Sequence, residues 1–93
     1  TVFEKRKKLG GMLRYGIPSY RLPRERLQDD IRAILETGVE VRLETAVGGG
    51  KGEMPVEELR REYDAVYIAI GAHADKKIGI EGEDAAGVIS AVD

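Results

Sequence analysis

The sequence predicts an α/β fold: part of a doubly wound parallel sheet with flanking helices, in a single incomplete domain over residues 1–93. Three observations predict it. The run Ala65, Val66, Tyr67, Ile68, Ala69, Ile70 is continuously apolar between Asp64 and Gly71, the pattern of a strand covered on both faces. Leu27, Ile31, Ile34 and Leu35 recur at helical spacing. Val39, Val41 and Leu43 alternate with Glu40, Arg42 and Glu44, which gives a strand one dry and one wet face near the edge of a sheet.

In chain order, Thr1, Val2 and Phe3 form a short apolar strand that ends at Glu4, because the charged run Lys5 to Lys8 cannot continue in a buried sheet. Residues 10–23 combine Gly10, Gly11, Gly16, Pro18 and Pro23 with Met12, Leu13, Tyr15, Ile17 and Leu22. They read as an ordered loop over an apolar surface, packed by Tyr15 and Tyr20. Pro23 suits the first turn of a helix and Gly38 its stop, so a helix is expected over residues 23–37. A strand over 39–44 follows, then a flexible connection through Gly48, Gly49, Gly50 and Gly52. Pro55 opens a second, shorter helix whose Glu57 and Glu58 sit in the first turn and Arg60 and Arg61 near the last, matching the helix dipole. Its buried stripe is Val56, Leu59 and Tyr63. The strand over 65–70 comes next. Residues 76–93 hold Ile78, Ile80, a turn through Gly82 to Gly87, and Val88 with Ile89, without an assignable element.

Composition narrows the function. Ninety-three residues support at most one small, marginally stable domain. A net charge of -2, from 15 basic and 17 acidic residues, gives no overall field for nucleic acid or an anionic membrane. No run approaches the roughly 20 apolar residues of a membrane span and no signal-peptide pattern opens the chain, so the expected location is the cytoplasm. With no cysteine, disulfides and thiolate metal sites are excluded within these residues, and any electron transfer falls to a bound cofactor.

Glu4 is the residue that points to chemistry. In dinucleotide-binding, Rossmann-like folds the second strand ends in an acid, because a carboxylate accepts hydrogen bonds from both ribose hydroxyls. It also repels a 2′-phosphate, so FAD or NAD suits the position better than NADP. On spacing alone a solvated strand-end carboxylate fits equally well. The first strand and the G-x-G-x-x-G turn that should precede this acid are missing from the sequence. Lys5 to Lys8 with Arg14 read as a solvated loop ahead of a phosphate patch, and no aromatic residue lies among the lysines to stack on bases. The Gly-Lys-Gly at 50–52 lacks the spacing of a phosphate loop. His73 reads as an ordinary surface residue. No catalytic acid, base or nucleophile is assigned, and no metal site.

Six stretches carry a family resemblance: V-F-E-K at 2–5, L-G-G-M-L-R-Y-G-I-P at 9–18, R-L-P-R at 21–24, G-V-E-V at 38–41, E-Y-D-A-V-Y-I-A-I-G-A at 62–72 and G-E-D-A-A-G-V-I-S-A at 82–91. On these the chain resembles the FAD-binding domain of the small (beta) subunit of glutamate synthase and its relatives. The resemblance implies a flavoprotein oxidoreductase that passes electrons from NADPH through FAD to a partner, with iron-sulfur clusters carried elsewhere or a large subunit receiving them. It implies that Glu4 holds the adenosine ribose of FAD with Lys5 beside it. Gly10, Gly11 and Met12 would let backbone approach the ribityl and pyrophosphate region, and Val47 would meet the adenine edge. Ala69, Ile70 and Gly71 would form a turn packed against the cofactor. Two departures stand out: Ile70 replaces a common Thr, and residues 48–54 are glycine-rich where relatives carry a tighter polar turn.

The same resemblance places the absent first strand between the strand ending at Glu4 and the strand 65–70. Two apolar strands then face an open slot, and they are expected to close together or to pair with another copy of the chain. Without the G-x-G-x-x-G turn the isolated chain is expected to bind no FAD and to be inactive. The alternative is a non-catalytic α/β interaction or oligomerisation module.

Overall fold

A computed structural model describes residues 1–90, so Ala91 and the rest of the expected domain's C-terminal end lie outside the described residues. The elements are β1 (Val2–Phe3), α1 (Gly11–Tyr15), α2 (Arg24–Leu35), β2 (Val41–Arg42) and α3 (Val56–Glu62). An apolar pair followed at once by charge makes a strand that cannot run far, and β1 pairs in parallel with β2 in the register Val2 to Val41 and Phe3 to Arg42. The Val2 and Glu4 amides donate to the Glu40 and Arg42 carbonyls at 2.8 and 2.9 Å. Beyond the strands, the Thr45 and Glu44 amides donate to the Glu4 and Arg6 carbonyls at 3.0 and 3.2 Å. The strands expected over 1–4 and 39–44 are therefore present at their centres. Glu44 then takes a left-handed φ of 53°, a conformation uncommon outside glycine that turns the chain off the ladder.

Proline sets both longer helices. Pro23 and Pro55 occupy the N-cap positions of α2 and α3, where φ is already near helical and the missing N–H costs nothing. Glu57 and Glu58 open α3 and Arg60 and Arg61 close it, as the dipole argument requires. Leu27 and Ile31 on α2 and Leu59 on α3 are the buried apolar residues, Leu27 being only 4% exposed. One turn further along α2 the stripe has nothing to face: Ile34 is 60% exposed. Residues 10–23 hold a short helix, α1, that sequence periodicity does not reveal. It packs on α2. Five residues between two glycine-bearing ends are too few to show a helical repeat.

The run 65–70 departs most from expectation. It is assigned to no strand, and Tyr67 and Ile70 are 92% and 80% exposed. A strand of that composition needs a hydrogen-bonded neighbour on each side, and the sheet among the described residues consists of β1 and β2 alone. The chain is correspondingly open. Its radius of gyration is 16.7 Å, against about 12 Å for a compact chain of this length. The architecture is α/β: a small parallel sheet with helices. No helix among the described residues is long and apolar enough to cross a membrane.

Candidate functional site

Glu4 stands at the C-terminal end of β1, held on both sides of its own peptide by Arg42 and Thr45. Its side chain curls over the next peptide, where Oε1 accepts the Arg6 amide at 2.7 Å. The carboxylate is thereby fixed at the strand tip and half-buried. Oε2 has no protein partner among the described residues.

The basic run that follows is not uniformly solvated. The Arg6 guanidinium lies over the Tyr15 ring, 4.6 Å from its centroid, a cation–π contact that joins the β1 tip to α1. The Arg6 Nε is buried without a hydrogen-bond partner. The Tyr15 hydroxyl donates to the Lys8 carbonyl at 3.4 Å, so Tyr15 packs the loop as expected, whereas Tyr20 is exposed and does not. Lys5, Lys7 and Lys8 are exposed. Arg14 is not part of a free cationic patch, because its guanidinium is committed to the Leu9 carbonyl and to Gln28.

Gly10 and Gly11 shape the turn between the two. Gly10 has a φ of 122°, and a Cβ there would lie 3.0 Å from Arg14 Cβ and 3.2 Å from Leu27 Cδ2. The turn thus sits directly on the buried Leu27. Gly11 faces open space, so its backbone can be approached by a ligand. Met12 is half-exposed, and its carbonyl accepts the Gly16 and Ile17 amides, both at 2.9 Å.

Val47 lies on a separate parallel bridge to Met54. The bonds of that bridge run from the Gly48 amide to the Met54 carbonyl at 3.0 Å and from the Met54 amide to the Ala46 carbonyl at 2.8 Å. In a parallel pair this directs the peptide groups of Val47 itself to the opposite side. The Thr45 to Glu4 bond keeps this segment beside the β1 tip. Ala69, Ile70 and Gly71 are exposed. Among the described residues no hydrogen bond, ion pair or ring contact ties them to Glu4 or to the glycine turn.

Charge at the sheet is local. Arg42 Nε donates to Glu40 Oε1 at 2.9 Å, and its guanidinium lies 5.5 Å from the Phe3 ring centroid. The Arg42 hydrogen bond holds the Glu40 carboxyl below the usual carboxylate range, with the Thr1 hydroxyl adding to it. Arg42 is shifted upward by the same bond. His73 is half-buried beside Gly71. No group of three or more His, Cys, Asp or Glu suited to a metal ion occurs among the described residues.

The chain as a whole is similar in sequence to several known proteins. The chain is 49% identical over 84 residues to the NADP(+)-dependent formate dehydrogenase subunit beta of Moorella thermoacetica. That match covers 90% of this chain and 12% of the relative. It is 47% identical over 75 residues to the NADPH-Fe(3+) oxidoreductase subunit beta of Geobacter sulfurreducens, 81% of this chain and 11% of the relative. Against the glutamate synthase [NADPH] small chain of Escherichia coli it is 33% identical over 92 residues, 99% of this chain and 19% of the relative. The chain is homologous to NADPH-dependent glutamate synthase small chains and related NADP-dependent oxidoreductase beta subunits. It spans less than a fifth of the length of these homologues. No protein-family model matches it, and no solved structure does. Two of the three relatives are named for formate dehydrogenation and iron(III) reduction, so NADP(H)-linked oxidoreduction is what the names share, and glutamate synthesis is one branch of it.

Sequence reasoning missed Arg6 and Arg24 as ordering residues.

Proposed function

We propose that these residues are the part of an NADPH-linked oxidoreductase subunit that holds the adenosine half of FAD, within a doubly wound, Rossmann-like sheet completed by other parts of the protein. One observation carries the reading: the Glu4 carboxylate is pinned at a strand tip with Oε2 unused, its backbone bonded to Thr45 in the segment that leads to Val47, and linked through Arg6 and Tyr15 to the glycine turn. The donor set fits a nucleotide. A carboxylate accepts from ribose hydroxyls, the outward peptide groups of Val47 match the edge of a base, and the open backbone at Gly11 admits a close approach. The buried, unpartnered Arg6 Nε is a further donor in the same unit.

In this assignment Glu4 orients the ribose, with Lys5 beside it. Gly10, Gly11 and Met12 line the linker of the cofactor, and Ala69, Ile70 and Gly71 reach it once the run 65–70 has strand neighbours. The bound flavin would accept hydride from NADPH and release electrons to the partner. The protein's share is binding and orientation. The partner is a large or iron-sulfur subunit, and the location is cytoplasmic. No G-x-G-x-x-G occurs in residues 1–93, so as an isolated chain they are inactive and colourless in this reading. The full-length protein, purified and scanned, should show a flavin spectrum that bleaches on adding NADPH. A colourless full-length protein that gains no flavin on incubation with FAD contradicts the reading.

A second reading rests on the exposure of residues 65–70. An uncharged run of that kind pairs with its own kind, so the isolated chain self-associates through it. Sedimentation at rising concentration should show association, weakened in Ile70→Lys. Concentration-independent monomers would remove this reading.

A further inference from the structure

Two guanidinium groups bracket the glycine turn. Arg14 donates through Nε to the Leu9 carbonyl, just before Gly10, and through Nη2 to Gln28 Oε1 on α2 at 2.8 Å. Arg24, the first residue of α2, reaches back with Nη1 to the Leu13 carbonyl at 2.8 Å and with Nη2 to the Ile17 carbonyl at 2.9 Å. These are carbonyls near the end of a five-residue helix, which a helix that short cannot satisfy from within. A planar fork can serve two carbonyls at once, whereas an ammonium on a flexible stem is a single point of attachment.

The need for such anchors follows from the backbone they enclose. Gly10 and Gly11 have φ of 122° and 48°, and consecutive glycines left unanchored sample many conformations. A ligand that requires one of them binds more weakly in proportion to the fraction of time it is present. On the reading of Gly10–Met12 as a flavin contact, we propose that Arg14 and Arg24 are positioning residues: they hold the turn in its ligand-ready shape and so set FAD affinity without touching FAD.

The test uses the full-length protein stripped of flavin and titrated with FAD by fluorescence quenching, alongside amide hydrogen exchange. Arg24→Met should weaken FAD binding about tenfold and raise exchange at Gly16 and Ile17. Arg24→Lys should recover part of both. NADPH oxidation at saturating FAD should be unchanged, because a positioning residue alters occupancy and not the chemistry. Raised exchange with unchanged FAD affinity overturns the proposal and leaves a structural role only. Unchanged exchange removes the clamp itself. If the unsubstituted protein takes up no FAD, the flavin reading falls first and the positioning role with it, a result distinct from either. Should Arg24→Met fail to fold, Arg14→Met, which leaves Arg24 in place, carries the same expectation with exchange read at Gly10 to Leu13.

Discussion

Residues 1–63 and residues 64–90 are ordered by different means. The first stretch holds every buried apolar residue described, Leu27, Ile31 and Leu59. It is tied by bonds between distant positions: Val2 to Glu40, Thr45 to Glu4, Arg14 to Gln28, Arg24 to Leu13. The second stretch contains the most apolar run in the chain, yet its described bonds are short-range. They include the Lys77 to Asp84 ion pair, the Gly79 amide on Glu83, and turn bonds within residues 80–88. Apolar composition does not by itself order a strand. Its peptide groups must be paired before its side chains can be covered.

The largest effect should separate the two stretches outright. Leu27→Ala removes a side chain from the small core and should cost about 3 kcal/mol in urea unfolding, whereas Ile70→Thr, at an exposed position, should stay within about 0.5 kcal/mol. Equal losses would break the comparison. Next, Gly10→Ala forces a side chain into a left-handed conformation against Leu27 and should cost about 1–3 kcal/mol, measured by the same titration. Arg6→Met removes a cation–π contact with Tyr15 and should cost about 0.5–1 kcal/mol. It should free the Tyr15 ring, visible as a change in near-ultraviolet dichroism.

The smallest effect concerns pH. Glu40 has a folded-state pKa below its unfolded one because Arg42 and Thr1 stabilise the carboxylate. Its contribution is therefore present above the unfolded value and is lost as pH falls through the depressed one. The pair lies at the surface with both side chains about half exposed, so the change should be slight. It should appear as a lower protection factor for the Val2 amide, bonded to the Glu40 carbonyl, in acid, after the intrinsic pH dependence of amide exchange is divided out, and Glu40→Gln should abolish that change.

Local signals were legible in the sequence. Pro23 and Pro55 marked the starts of α2 and α3, Leu27 and Ile31 marked the buried face, and the alternation from Val39 to Leu43 marked β2. The Glu4 carboxylate was also visible as a strand-tip acid. Three things were not legible. The helix α1 is too short for periodicity. The arginine bonds from Arg14 and Arg24 depend on which loop folds back on which helix, and that is a tertiary fact. The exposure of residues 65–70 contradicts a pattern that assumes neighbours on both sides. Ile34 fails for the same reason, lying on the correct face of a helix that nothing covers at that height.

In the proposed function the carboxylate fixed at the end of β1 grips the sugar of a flavin nucleotide. That contact is tested most directly by titrating the full-length protein with FAD before and after Glu4→Ala, with circular dichroism confirming an intact fold. Loss of charge-assisted hydrogen bonds to ribose predicts an affinity lower by about 10- to 100-fold. Unchanged affinity in a folded Glu4→Ala protein would contradict it.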